Sequence, residues 1–477
     1  MNTVLTVKGY SVLKSSVSKE QEALIQKELI VAPKTLPKFS KCVKSFRLYL
    51  ESATRYYLPK AWGTAIFGEP EGSSVPLGNP LPPILRFKGT PYPYQETIIQ
   101  QFIDQGANGL ICVPCGRGKT FMALSIAVRL GFRTLIIVDK EFLMNQWKGE
   151  IANYIEGARV GILQSSKAET DVALFDITIC MIQTLCLRDW APDQFSGYGF
   201  TIFDECHHLG AQHFSGVLKK VQTNKMLGLS ATPDRDDGLT KVFEYSLGKP
   251  VYQEKTRDPD PTVQVRAVWF TSDDPTYREE PRDWRNEIVT ARLMSQVVEF
   301  DPRTRAVMEH LKELVGDPLR KILVLSERKA HLAAMSEYLT AFSATVIQGY
   351  YVGGMKQGDL DRNAATCQVL FATYAMASEA MNIKALNAMI MASPRKKVEQ
   401  STGRILRTTV DKRVVEPLII DVIDQHDMYV RQWYLRQRYY KKCAYTVTHI
   451  GKPAKVGLEV KAHQEAVLSA ENCLIRL

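Results

Sequence analysis

A short glycine-containing loop carries the strongest chemical signal in the sequence. Residues 113–120 read Val-Pro-Cys-Gly-Arg-Gly-Lys-Thr and stand between an apolar run and a helical pattern, which is the context that a phosphate-binding loop needs. Gly116 and Gly118 let the backbone curl so that successive N–H groups point at phosphate oxygens beside a helix N-terminus. Lys119 would reach the β- and γ-phosphates, and the Thr120 hydroxyl would bind Mg²⁺. The residues expected to contact nucleotide here are Cys115, Gly116, Arg117, Gly118, Lys119 and Thr120.

The loop has Val113 where the phosphate-loop pattern has glycine, so an ordinary strand–turn–helix remains an alternative to a nucleotide site. Two adjacent acids further along the chain help to decide between the two. Asp204 and Glu205 follow an apolar strand. Asp204 would hold Mg²⁺, directly or through water, and Glu205 would position and activate the attacking water. A solvated turn is the alternative for the acids alone, but their distance from the loop is typical of a RecA-like domain. We therefore predict an ATP site with Mg²⁺ held by Thr120 and Asp204.

These residues need elements that hold them, and two sets of short apolar runs indicate such elements. Each run is typical of a strand buried on both faces, as in parallel sheets, and helical patterns lie between the runs. The first set is residues 109–113, 134–138, 177–182, 200–203 and 226–229, and the second is residues 322–325, 345–347, 369–372, 388–391 and 418–420. Alternating strands and helices predict doubly wound units. We therefore predict an α/β fold with two parallel-sheet domains in tandem.

Composition indicates where these domains begin and end. Residues 1–80 are predicted to be a small, basic N-terminal accessory domain that ends in a stretch dense in Gly and Pro. Residues 81–255 would form the ATP-binding domain, and residues 296–450 would form the second domain. Between them, residues 256–295 are rich in Pro, Asp, Arg and Glu, so we place the interdomain connection there. Residues 451–477 would be a C-terminal tail.

Positive charge is concentrated at the two ends of the chain. Residues 1–65 hold eleven Lys and Arg against four Glu, a net charge of +7, and residues 428–477 hold nine against three, a net charge of +6. Such flanks attract polyanions, most often phosphate backbones, so we expect a nucleic-acid partner. Charge that serves only solubility is the alternative. Over residues 429–445 basic residues alternate with aromatics, which suits base stacking or, as we favour, an amphipathic helix packed on its domain.

Cysteines and apolar segments limit the cellular setting. Nine cysteines are spread along the chain, and the close pair Cys112 and Cys115 has no second pair at zinc spacing. This pattern favours a reducing compartment. The N-terminus lacks the continuous apolar segment of a secretory signal, and no apolar run is long enough to span a bilayer. We therefore expect an intracellular protein without a membrane partner.

Taken in order along the chain, the motifs resemble those of superfamily-two helicases of the DExH kind, here with Asp-Glu-Cys-His at residues 204–207. The resemblance covers residues 85–445 and adds six motifs to the loop and the acids. These are residues 91–95 (Pro-Tyr-Pro-Tyr-Gln), 134–147 and 181–185 (motifs Ia and Ib), 230–232 (Ser-Ala-Thr), 371–373 with 379–383 (motif V) and 400–407 (motif VI). The resemblance implies two RecA-like domains that hydrolyse ATP with Mg²⁺, and a nucleic-acid track lined by motifs Ia and Ib.

The resemblance also implies roles for single residues. Gln95 would read the adenine edge, and Asn382 would hydrogen-bond a ribose hydroxyl, although the family usually has Asp at that place. Arg404 and Arg407 lie three apart on one helical face of the second domain, and they would reach the γ-phosphate held by the first domain when the cleft closes. Gln400 would contact the same phosphate or its water. Either arginine alone is also compatible with a solvated surface charge.

Three histidines near the acids invite two interpretations. His207, His208 and His213 suit a metal site by residue type. We favour instead a role for His207 in coupling the nucleotide site to the neighbouring domain, with the other two as surface or packing residues.

The beginning of the chain narrows the resemblance. Residues 7–10 and 27–33 are similar to helicases of large nucleocytoplasmic DNA viruses, which are related to the poxvirus transcript-release helicase and to XPB-type and UvsW-type enzymes. This implies a monomeric ATP-driven motor that moves along or unwinds DNA or RNA in a transcription or replication complex, in the cytoplasm or nucleus of a host or in a virion. Two other functions stay open, namely a double-strand translocase that does not separate strands and a structural subunit without turnover.

Overall fold

The computed structural model describes residues 1–34, 44–191, 193–231, 234–235, 237–254, 258–379, 381, 383, 385–406, 408 and 410–453. The chain divides into two compact units, Met1–Lys255 and Thr256–Leu477. No helix within the described ranges is long and apolar enough to cross a membrane.

The N-terminal part of the first unit is a small antiparallel sheet with two helices. Its strands are β1 (Thr3–Thr6), β2 (Gly9–Leu13), β3 (Ile30–Val31), β4 (Phe46–Arg47), β5 (Leu50–Glu51) and β6 (Arg55–Leu58), and its helices are α1 (Lys19–Leu29), α2 (Lys60–Phe67) and the 3-10 turn Lys14–Ser16. The sheet order is β1-β2-β6-β5, and β3 pairs with β4. A capping box of Ser18 and Gln21 begins α1, because each side chain satisfies a backbone N–H of the first turn.

An eight-stranded sheet forms the centre of the first unit. Its strands are β7 (Asn108–Cys112), β8 (Thr134–Val138), β9 (Val160–Gln164), β10 (Lys167–Ala168), β11 (Ile177–Met181), β12 (Phe200–Phe203), β13 (Lys225–Ser230) and β14 (Pro250–Gln253). Their order is β10-β9-β11-β8-β12-β13-β7-β14, and every pairing is parallel except β9 with β10. The central strands β8, β11 and β12 are buried along their whole length, as strands covered by helices on both faces must be.

Helices cover both faces of this sheet. They are α3 (Pro93–Asp104), α4 (Lys119–Leu130), α5 (Glu141–Tyr154), α6 (Ile182–Leu187), α7 (Gln212–Ser215), α8 (Val217–Lys220), α9 (Thr240–Leu247) and the 3-10 turn Cys206–Gly210. One core joins α3, α4 and α5 to the sheet. The core on the other face joins α6, α8 and α9 to the N-terminal sheet and helices, so the described residues before position 81 pack as part of the first unit.

The second unit is built on a seven-stranded parallel sheet. Its strands are β15 (Gln264–Phe270), β16 (Ile322–Ser326), β17 (Gln348–Tyr351), β18 (Val369–Thr373), β19 (Ala388–Met391), β20 (Leu418–Asp424) and β21 (Thr446–Ile450), in the order β17-β18-β16-β19-β20-β15-β21. Its helices are α10 (Pro275–Arg278), α11 (Thr290–Glu299), α12 (Asp301–Val315), α13 (Lys329–Phe342), α14 (Gln357–Thr366), α15 (Tyr374–Glu379), α16 (Glu399–Thr402), α17 (Asp427–Lys442) and the 3-10 turn Val410–Lys412.

The predicted fold class is confirmed, since each unit is an α/β layer structure of the RecA-like kind on a mainly parallel sheet. One expectation about organisation is wrong: residues 256–295 are not simply a connection. They contain β15, which lies between β20 and β21 in the second sheet. The buried Val265, Ala267, Val268 and Trp269 make this strand part of the core, although prolines and charged residues surround it in sequence. The other domain limits stay predictions, and residues 454–477 lie outside the described part.

The basic and aromatic segment near the C-terminus forms α17, and its aromatic side packs on the sheet. Trp433 and Tyr440 are fully buried. Between them Arg436 is also buried and forms a two-armed ion pair with Asp421 of β20, with nitrogen–oxygen distances of 2.8 Å. This supports the packed-helix interpretation of residues 429–445, because the rings of Trp433 and Tyr440 are not available for base stacking.

Candidate nucleotide site

The phosphate loop follows β7 and ends at the first residue of α4. Gly116 and Gly118 both have left-handed backbones, with φ of 86° and 79°, and Gly118 is the N-cap of α4. A Cβ atom at position 118 would lie 2.5 Å from Nε2 of Gln95, so glycine is needed there for both backbone and space. Lys119 begins the helix, and its ammonium donates to the Val113 carbonyl at 3.3 Å. Thr120 follows it in the first turn, where backbone N–H groups are open to an anion.

Two residues of α3 fix the loop by its Arg117 carbonyl. The buried Gln95 donates from Nε2 to this oxygen at 3.1 Å, and the Tyr94 hydroxyl donates to it at 3.2 Å. Gln95 also accepts from the backbone N–H of Tyr92 at 3.0 Å. Both ends of the Gln95 amide therefore bind the protein, and its predicted contact with adenine stays a prediction.

The side chain of Arg117 turns toward the edge strand. It forms an ion pair of 2.5 Å with Glu254, which directly follows β14, and it lies over the Tyr94 ring at 5.0 Å. Neighbouring Cys115 is a partly exposed free thiol. The structure thus gives Arg117 a bracing role in the loop, and its predicted contact with nucleotide stays a prediction.

Asp204 and Glu205 follow β12, and both side chains are partly buried. Asp204 accepts at Oδ1 from the backbone N–H of Glu205 at 3.0 Å and at Oδ2 from the indole of Trp147 at 2.8 Å. Burial and the neighbouring Glu205 raise the pKa of Asp204. Burial alone would also raise the pKa of Glu205, but Lys119 and His207 outweigh burial and lower that pKa. The surroundings of Glu205 therefore favour its carboxylate form.

The histidine after the acids contacts both the acids and the end of β13. His207 Nδ1 lies 3.1 Å from the Ser230 hydroxyl and 3.3 Å from Oε2 of Glu205. Its carbonyl accepts from the Arg235 guanidinium at 2.5 Å. His207 thus connects Glu205 to the Ser-Ala-Thr segment inside the first unit, and its predicted coupling to the second domain stays a prediction. Burial lowers the pKa of the adjacent His208, with the charge of His207 adding to the effect.

The residues present fit a nucleoside triphosphate with Mg²⁺. Oε2 of Glu205 is buried and makes no hydrogen bond within the described part of the chain, although His207 lies near it. An acceptor left open in this way suits a water that must lose a proton. The loop offers backbone N–H groups and a lysine to phosphates, while Thr120 and Asp204 offer the oxygen ligands that Mg²⁺ prefers. ATP and Mg²⁺ therefore match the donor and acceptor groups of this site.

The predicted residues of the second unit are only partly described. Arg404 is 6 % exposed and donates to the Met381 carbonyl at 2.7 Å, so it joins the segment after α15 to the segment after α16. Gln400 is partly buried in α16. Arg407 and Asn382 lie outside the described residues. The action of Arg404, Arg407 and Gln400 on a γ-phosphate, and of Asn382 on a ribose, stays a prediction.

Sequence reasoning missed two residues that shape the site. Trp147 was assigned to the nucleic-acid track, yet its indole contacts Asp204. Glu254 was not singled out, yet it is the ion-pair partner of Arg117. A fully buried tryptophan predicts a partner for its N–H, but the sequence does not indicate which acceptor it meets.

We expect Gly118→Ala to weaken ATP binding by about tenfold or more, the factor that 1.4 kcal/mol represents. Alanine disfavours the left-handed backbone, and its Cβ would displace Gln95 from the Arg117 carbonyl. Titration with a fluorescent ATP analogue measures this. Gly131→Ala is the matched control, since Gly131 ends the same helix with φ of 70° and nothing within 4 Å of the added atom. Equal ATP affinity in both variants would show that the loop geometry does not matter.

Comparison with known proteins gives this geometry a family. The model of the family described as type III restriction enzyme, res subunit, matches residues 88–235. A protein of Acanthamoeba polyphaga mimivirus that carries the name of an ATP-dependent RNA helicase is 30% identical over 463 residues, which are 94% of this chain and 86% of the relative. An African swine fever virus protein with the same kind of name is 26% identical over 70% of this chain and 68% of its own length.

Among solved structures, the helicase domain of Hef from Pyrococcus furiosus aligns with a TM-score of 0.48 and 16% identity, over 73% of this chain and 98% of that domain. Family membership rests on the sequence relatives, of which the mimivirus protein is matched over nearly its whole length. The chain has the phosphate loop and the acid pair, and it belongs to the superfamily-two helicases, which are ATP-dependent enzymes. Its relatives include helicases of large DNA viruses.

Proposed function

We propose that the chain hydrolyses ATP at the loop and acid pair of its first unit and uses the free energy to move along or unwind DNA or RNA. One observation carries this proposal: the partly buried Glu205 follows β12 next to Asp204 and turns Oε2, a buried atom, toward Nδ1 of His207 at 3.3 Å, and the positive charge of Lys119 favours its carboxylate form. A carboxylate in this position accepts a proton from water, which is the proton transfer that hydrolysis needs.

Each residue of the site has a task in this proposal. The backbone N–H groups of residues 116–120 and the ammonium of Lys119 bind phosphate oxygens. Thr120 and Asp204 hold the cation. Glu205 orients a water and takes its proton at the open Oε2 atom, while His207 limits the rotation of that carboxylate. When bound, ATP supplies the phosphoanhydride bond, and Mg²⁺ neutralises charge on its oxygens.

The second unit contributes positive charge to the same reaction in this proposal. Arg404 and Arg407 would stabilise the charge that develops on the γ-phosphate, because a guanidinium fork pairs with two phosphate oxygens at once. Gln400 would hold the phosphate or its water. Motifs Ia and Ib of the first unit would bind the strand, mainly through its phosphates and therefore with little sequence preference.

The biological setting belongs to the proposal as well. We place the protein inside an infected cell or a virion, in a reducing compartment, as a monomeric motor working with a transcription or replication complex. Relatives from large DNA viruses support a role in transcription, including transcript release, or in processing replication intermediates. Relatives named as RNA helicases support RNA as one of the substrates.

We expect nucleic acid to raise the ATPase rate about fivefold or more, within the usual range of coupling between two sites. The assay compares single-stranded DNA, duplex DNA, RNA and an RNA–DNA hybrid, with Lys119→Ala as the background control. Strand-displacement and triplex-displacement assays with the best activator then distinguish a helicase from a double-strand translocase. Wild-type protein with no turnover above the Lys119→Ala background, with or without these nucleic acids, would instead indicate a structural subunit.

A further inference from the structure

A fully buried tryptophan connects the predicted nucleic-acid track to the acid pair. Trp147 is the seventh residue of α5 and has no exposed surface. Its indole Nε1–H donates to Oδ2 of Asp204 at 2.8 Å, across 57 positions of sequence.

The contact restricts the Asp204 carboxylate at the oxygen that the backbone leaves open. Oδ1 already accepts from the Glu205 N–H at 3.0 Å, and the backbone N–H of Asp204 donates to Ile137 of β8 at 3.0 Å. With Trp147 on Oδ2, both oxygens are held from different directions, so the plane of the carboxylate is fixed. The remaining lone pairs of the two oxygens stay available to a ligand.

A second contact joins residues 134–147, the segment that contains Trp147, to the acid loop, which is residues 204–208 after β12. Asp139, which lies between β8 and α5, has its Oδ2 3.5 Å from Nε2 of His208. The carbonyl of Asp139 accepts from the Gln183 amide of motif Ib at 2.7 Å. The segment that would line the track therefore meets the acid loop at two places, and Trp147 supplies the shorter contact.

We propose that Trp147 is a positioning residue that holds the Asp204 carboxylate in the orientation in which it binds Mg²⁺. The inference rests on the proposed function, which assigns the cation to Asp204. Partners that hydrogen-bond a metal-holding group from behind set its direction, and their loss weakens metal binding even when every ligand remains. Phenylalanine would keep a smaller aromatic ring in the core at position 147 without an N–H, and a matched Trp→Phe change at another buried tryptophan shows the effect of the lost volume, so packing and positioning are separable by substitution.

The variant Trp147→Phe removes the indole N–H and keeps an aromatic ring in the core. Trp62→Phe is the matched control, because Trp62 is also buried in the first unit and its indole also donates to a carboxylate, Glu28, at 2.6 Å. Should Trp147→Phe fail to fold, benzothienylalanine at position 147 replaces only the N–H by sulfur and retains the outline of the indole. The thermal midpoint of each variant monitors any general loss of stability.

The decisive measurement is binding of a fluorescent ADP analogue at increasing Mg²⁺ concentration, which needs no turnover. We expect Trp147→Phe to raise the Mg²⁺ concentration for half-maximal binding about tenfold, as loss of such a partner usually does, and Trp62→Phe to leave it at the wild-type value. An unchanged Mg²⁺ requirement in a folded Trp147 variant would overturn the inference. Wild-type protein that binds the analogue equally with and without Mg²⁺ would instead count against the proposed function itself.

Discussion

We expect Glu205→Gln to bind ATP and nucleic acid like the wild type but to hydrolyse ATP about 10²- to 10⁴-fold more slowly, the usual contribution of a general base. Glutamine keeps the size of the side chain, yet it has no carboxylate to take a proton from water. The loop, Lys119 and Asp204 remain in place, so nucleotide affinity is retained. Single-turnover hydrolysis and a fluorescent ATP titration measure the two quantities separately.

Two further variants sharpen this result. We expect Lys119→Ala to lose both ATP binding and hydrolysis, since its ammonium is a charged group of the phosphate loop and the other, Arg117, is paired with Glu254. Glu28→Gln removes a carboxylate from the same unit that contacts Trp62 rather than the acid pair, and it should hydrolyse ATP at the wild-type rate. A Glu205→Gln protein with normal turnover would contradict the assignment of the base and would move the search to other carboxylates.

The parts of the fold that the sequence predicts well are those with continuous apolar runs. Central strands such as β8, β12 and β16 are buried on both faces, and their sequences are correspondingly apolar. Edge strands carry less information: residues 345–347 were expected as a strand, whereas β17 begins at Gln348 and is only partly buried. The composition of residues 256–295 does not indicate β15, because charged residues and prolines surround the strand, although its apolar positions are buried.

In the site, too, the sequence predicts local features better than contacts between distant elements. The phosphate loop is local, so glycine spacing and a helix start are enough to predict it, and the structure places Gly116, Gly118 and Lys119 accordingly. The contacts of Trp147 with Asp204 and of Arg117 with Glu254 join elements that are far apart in sequence. Such contacts depend on the order of strands in the sheet, which hydrophobic periodicity does not specify.

Buried charge in the second unit shows the same dependence on the partner. An arginine on a helix is ordinarily expected at the surface, yet Arg436 of α17 and Arg303 of α12 are buried because β20 supplies Asp421 and Asp424 to meet them. Both aspartates belong to β20, three residues apart. Each arginine also donates to a carbonyl of the segment after β19, Arg303 to Ala392 and Arg436 to Arg395, and this segment leads to α16.

These contacts predict that loss of Arg303 strongly destabilises the second unit. Its guanidinium binds Asp424 through two nitrogens at 2.5 and 2.9 Å, and Asp424 also accepts from the Tyr277 hydroxyl at 2.6 Å. Arg303→Met fills similar volume but leaves a buried carboxylate without its counter-charge, which costs about 3–5 kcal/mol of the free energy of unfolding. For a unit of this size the thermal midpoint would fall by roughly 6–20 °C.

A double-mutant cycle separates the ion pair from packing. Asp424→Asn alone should also be strongly destabilising, because it leaves Arg303 buried beside a neutral group. In Arg303→Met with Asp424→Asn both charges are gone, so the double variant should lose clearly less stability than the sum of the single losses. Arg305→Met is the surface control on the same helix, since its partner Asp301 and Arg305 itself are both exposed, and its midpoint should not change. Additive losses in the cycle would mean that the pair acts through volume alone, and that the two buried charges do not hold the segment before α16 through their attraction.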